Sequence, residues 1–163
     1  MDARAPLRSA YTAFLIAGLA GSIVLVIAEF LPLLHVRVAA SSASIKTVVT
    51  GAHHGYALLP IAALSAVLTI AALRLESRPT LVGLGTLGLI GLAIVLVGDL
   101  PDAHATGLVG SSVTHYVQAR SDPGIGLYLE TLGAVLLLLA SGVGLLLIGP
   151  HKPAADRVPW FGS

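Results

Sequence analysis

The chain has 163 residues, 56% of them hydrophobic and only 10% charged, with a formal net charge of +1. An ordinary globular domain carries roughly 25% charged residues, so there is too little charge here to clothe a water-soluble surface. The Lys and Arg are too dispersed for a nucleic-acid footprint, and the absence of cysteine and asparagine removes disulfides, thiolate metal sites, cysteine nucleophiles and N-glycosylation acceptors.

Four apolar stretches follow one another, at roughly residues 11–34, 55–73, 81–98 and 127–148. The expected fold class is an all-α membrane protein. A single four-transmembrane-helix bundle over residues 1–148 crosses about 30 Å of hydrocarbon with each span. Arg4 and Arg8 also resemble the start of a signal peptide. The apolar run after them is about 19 residues rather than 7–15, holds Glu29 and Pro32, and leads only to a poor cleavage site at Val38-Ala39-Ala40. A retained first span is therefore expected.

In the loop 35–54, alternation at Val36 and Val38 and then Val48 and Val49 suits two short strands or an interfacial hairpin. The second span should kink at Pro60 near its outer end. Arg74–Thr80 reads as a tight turn, because Pro79 cannot continue the preceding helix. In the third span, Gly83, Gly85 and Gly88 match the dinucleotide pattern GxGxxG. No strand precedes it and no acid follows about 20 positions on, so these are packing glycines. In the loop 99–126, Leu108–Ala119 suits a short helix or a strand, and Arg120–Gly126 reads as a turn into the last span. The tail 149–163 carries three prolines and is expected to be disordered, with Trp160 and Phe161 resting at the lipid surface.

Charge orients the spans. The segments 1–10, 74–80 and 149–163 hold six Lys and Arg, against three in the other two loops. The positive-inside bias places both termini in the cytoplasm and the two longer loops outside.

Helices associate in lipid through small residues and interhelical hydrogen bonds. At 100° per residue, Gly18, Gly21 and Ser22 share a face with Glu29. Gly85 and Gly88 share one with Asp99, and Gly133, Ala134, Ser141 and Gly144 lie near Glu130. These faces are expected to form the inside of the bundle.

Glu29, Asp99 and Glu130 are the candidate site, since an intramembrane acid must be paired, hydrated or neutralised. Two readings stand. Glu29 is structural glue, accepting from Tyr56, a loop histidine, Arg37 or a backbone amide, or the acids handle protons or cations. A metal site is a further candidate: Asp99, Asp102 and His104 lie within six residues, and His53 or His54 would complete it. The blander alternative is that polar residues gather wherever a chain leaves a membrane. No GxSxG elbow or HExxH motif occurs, so neither enzyme nor cofactor is expected.

The stretch from Asp99 to Gly142, DLPDAHATGL…HYVQARSDPGIGLYLETLGAVLLLLASG, resembles small uncharacterised four-span proteins of high-GC Gram-positive bacteria. In those proteins a Pro-Gly-x-Gly turn enters a GAVLLL-type last helix. The outline is distantly similar to the tryptophan-associated membrane protein group, though Trp160 is the only tryptophan. It shares the four-span outline of animal claudins without their paired loop cysteines. The resemblance implies a bacterial inner-membrane protein and carries no activity. The expectation is a non-enzymatic accessory or scaffold whose partners are the lipid bilayer and either a second copy or another membrane protein. A small proton or cation channel through Glu29, Asp99 and Glu130 is the alternative.

Overall fold

The computed structural model describes residues 5–40, 43–75, 77–109 and 117–147. Four of its helices are long and apolar enough to cross a membrane. They are α1 (Ala5–Phe30), α2 (Leu58–Leu75), α3 (Arg78–Asp102) and α4 (Ile125–Leu147). Each exposes a flank of large apolar side chains, such as Ile23, Val67, Val97 and Leu146, that lipid accepts and water does not.

The two longer loops merge into one antiparallel sheet with strand order β2-β1-β4-β3, larger than the hairpin expected from the first loop alone. The strands are β1 (Leu34–Ala40), β2 (Ala43–Val49), β3 (Thr106–Val109) and β4 (Val117–Pro123). Alternation sorts the faces. Leu34, Ala119 and Ser121 are buried on the side towards the bundle, while Arg37 and Arg120 face each other on the opposite side. Asp122 bridges these two arginines, 3.1 Å from Arg37 and 3.5 Å from Arg120.

Several expected boundaries move. The first span ends at Phe30, because Pro32 has no N–H and disfavours helix in the residue before it; Leu34 already belongs to β1. Pro60 makes no kink, since it lies in the first turn of α2, where N–H groups have no intrahelical partner anyway. Pro79 likewise opens α3, so the connection after Leu75 is shorter than Arg74–Thr80. Residues 117–123 are strand rather than turn; the turn into α4 narrows to Gly124, which packs on the Pro32 carbonyl. The tail with Trp160 and Phe161 lies outside the described residues, as does the middle of Leu108–Ala119.

α3 is not uniform. Its buried positions Gly91, Val95 and Asp99, and Ala103 just beyond its end, step by four, and each such step overshoots a 3.6-residue turn by about 40°. The widened π segment Ile94–Asp99 absorbs that drift and keeps Asp99 on the inward face.

Glycines set the helix separations. A methyl group on Gly133 of α4 would lie 2.7 Å from Leu25 of α1, and one on Gly18 would lie 2.6 Å from Thr69 of α2. Gly85 of α3 lies against Ser141 of α4, whose hydroxyl donates to the Leu81 carbonyl at 2.8 Å. Gly83-Leu84-Gly85-Thr86-Leu87-Gly88 therefore lies within a helix that packs on another helix.

Candidate acidic joint at the sheet end of the bundle

Two of the helices start where α1 ends. α2 begins after Tyr56 and Ala57, neither of which can cap a helix, so its first N–H groups need an acceptor from elsewhere. Glu29, on the last turn of α1, supplies it: the Leu58 N–H donates to Glu29 Oε1 at 2.6 Å. α4 is treated similarly. The Gly124 and Gly126 N–H groups donate to the carbonyls of Leu33 and Pro32 at 2.7 and 2.8 Å. Residues 29–33 thus anchor the starts of both helices that return into the bundle, and the Leu33 N–H ties the same segment to Val49 of β2 at 2.8 Å.

The three acids occupy one region. Glu29 and Glu130 are 0% exposed and Asp99 is 3% exposed. The Glu130 carboxyl lies within electrostatic range of both Asp99 and Glu29. A short 3-10 turn, Gly51–His54, roofs Glu29. Gly51 is so close that any β-carbon there would collide with Glu29 Oε2 and lie 2.7 Å from the Glu29 carbonyl oxygen. The chain then reverses through left-handed backbone at Gly55 (φ 65°) and Tyr56 (φ 57°) before α2 starts. The Tyr56 ring rests 6.1 Å from that of Phe30.

Beneath the acids the bundle is tightly packed. Leu25, one turn below Glu29, fills the space over Gly133, and Ala134 meets Gly91. Leu25, Leu84, Ala134 and Leu137 are fully buried. Two hydroxyls at this depth turn towards backbone: Ser22 donates to the Gly18 carbonyl and Thr69 to that of Ser65. Gly18, Gly21, Ser22, Gly88, Gly133, Ala134, Ser141 and Gly144 are all buried in this core.

The metal candidates divide. Asp99 faces Glu130 inside the bundle, whereas Asp102 and His104 are exposed, with His104 Nδ1 3.4 Å from the Leu100 carbonyl. The side chains of His53 and His54 lie outside the described residues. Among the described residues, no group of three metal-ligating side chains comes together. Arg37, one of the donors expected for Glu29, pairs with Asp122 on the far face of the sheet instead.

A backbone amide was among the donors expected for Glu29, and Leu58 supplies it; sequence reasoning did not single out Leu58 and missed Gly51. A signal was present for Leu58: a helix start without a local capping residue, on a chain with an unassigned acid. Gly51 gave none, since its role arises from a fold-level approach. No protein-family model matches the chain, and no curated protein matches it.

Proposed function

We propose that this chain is a non-enzymatic integral protein of the bacterial cell membrane. It acts as an accessory or scaffold that holds its sheet outside, with both termini in the cytoplasm. The observation that carries this reading is the Glu29 joint. Its carboxylate caps α2, touches Gly51 and sits above the Leu25–Gly133 contact, which is what a rigid support for the sheet requires. A buried acid spent on capping a helix, as Glu29 is, is a structural element. The outward face of the sheet, with exposed Arg37 and Arg120 sharing one aspartate, then offers a cationic patch to an envelope partner or a second copy.

A second reading, proton or cation handling, is favoured by one observation. Three buried carboxyl groups, Glu29, Asp99 and Glu130, gather at one end of the bundle.

Gentle purification from native membranes distinguishes the readings. The scaffold reading expects a stoichiometric partner or second copy that is lost on combining Arg37→Glu with Arg120→Glu and kept in Glu130→Gln. A chain recovered alone, or a partner indifferent to both arginines, contradicts it.

A further inference from the structure

Asp122 is the only acid in the four strands, whereas Arg37, Lys46 and Arg120 bring three cations. The register sets all three in one row: Arg37 of β1 pairs with Lys46 of β2 on one side and with Arg120 of β4 on the other. Like charges directly opposite each other weaken a sheet, so this row costs stability rather than supplying it. Asp122 answers only part of the charge. Its two carboxylate oxygens take the Nε of Arg37 and of Arg120, whose side chains are 63% and 75% exposed. One carboxylate against three cations leaves two positive charges over, and each guanidinium keeps its Nη nitrogens as donors.

We propose that this row docks an acidic helix of a partner protein, lying across the strands with carboxylates at positions i, i+3 and i+7. The proposal rests on the scaffold reading and names the element by which its partner makes contact. Charge calls for an anion, and spacing selects the helix. Neighbouring strands lie about 4.8 Å apart, so the three cations step along the row at about 4.8 and 9.6 Å. A helix rises about 1.5 Å per residue, which puts i+3 and i+7 at about 4.5 and 10.5 Å from i, on one face. Alternate residues of an extended peptide stand about 6.7 Å apart and overrun the row. Val48, exposed two positions along β2 from Lys46, gives such a helix an apolar contact that a bare polyanion would not use. A second copy does not fit the row. Asp99 and Asp102 are its only acids three residues apart; Asp99 is buried and position 106 is threonine.

The test uses the full chain in nanodiscs of phosphatidylcholine at low ionic strength, with anisotropy of labelled alanine-based helical peptides as readout. The first peptide carries Glu at i, i+3 and i+7, the second the same three Glu spread around the helix, and the third only the Glu at i and i+3. A thymidine oligonucleotide stands for phosphodiester polymers. The first peptide should bind about tenfold more tightly than the second or the oligonucleotide. Arg37→Gln and Arg120→Gln should each weaken it severalfold. Lys46→Gln should bring the first peptide down to the third while leaving the third unchanged. Asp122→Asn removes the competing carboxylate and should tighten binding, a gain that misfolding cannot imitate. Equal affinity for the two arrangements of three Glu, tighter binding of the oligonucleotide, or affinity undiminished in both arginine variants overturns the proposal. The two readings fail separately: a chain that keeps an arginine-dependent partner from native membranes but binds both Glu arrangements equally refutes the acidic helix alone, whereas a chain recovered without any partner refutes the scaffold.

Discussion

Glu29 accepts the backbone N–H of Leu58 across 2.6 Å, so the last turn of one membrane helix caps the first turn of the next. The two residues are 29 positions apart, and the contact replaces a local cap that the sequence does not provide. Glu29→Ala leaves a buried amide without its acceptor and should destabilise the protein by about 1–3 kcal/mol. Glu29→Gln keeps an acceptor oxygen and should cost clearly less. Thermal unfolding in detergent, followed by circular dichroism, checks the order of the three proteins.

The same joint can be disturbed from its roof. Gly51→Ala places a methyl group against the Glu29 carboxylate, in a site with no room to yield on the backbone side. A loss of about 1–3 kcal/mol is expected, as for overpacking of a close-packed core. In a Glu29→Ala background the clash with the carboxylate is gone, so the two losses should add to less than their sum. Strict additivity in that double-mutant cycle would separate Gly51 from the joint.

Glycines in α3 and α4 should respond in opposite ways. Gly133→Ala drives a methyl group into Leu25 and should weaken the α1–α4 contact, lowering the melting temperature. Gly98→Ala enters open space and removes a poor helix former, so it should be neutral or stabilising by up to about 1 kcal/mol. Melting curves of the two variants side by side test whether the close contacts hold the bundle.

Topology is directly accessible because the chain has no cysteine of its own. Gln118→Cys, on exposed β4, should label from outside the cell with an impermeant maleimide. Ser77→Cys, in the short α2–α3 connection, should label only after the membrane is opened. The reverse pattern would invert the orientation drawn from the six-to-three split of Lys and Arg.

The helices were legible because lipid imposes a length and a composition that few other environments demand. The small faces of Gly18, Gly85 and Gly133 were legible because 100° periodicity places them together. The ends were not. Pro60 and Pro79 read as breakers, yet both sit in first turns, where a missing N–H costs nothing. The pairing of β1 with β4 joins segments on opposite sides of two helices, and no local pattern announces it. The π segment was hidden because a 100° projection assumes the regular turn that it breaks. Of the site, the three acids stood out by their charge against apolar neighbours, while Gly51 has no side chain to stand out by.

On the proposed reading, Glu29, Asp99 and Glu130 hold the structure rather than conduct. Proton and potassium flux across proteoliposomes under an imposed pH gradient and membrane potential tests it most directly. Flux indistinguishable from protein-free vesicles is expected for the parent and for Glu130→Gln, with the variant altered only in melting temperature. Protein-dependent flux that Glu130→Gln abolishes would contradict it.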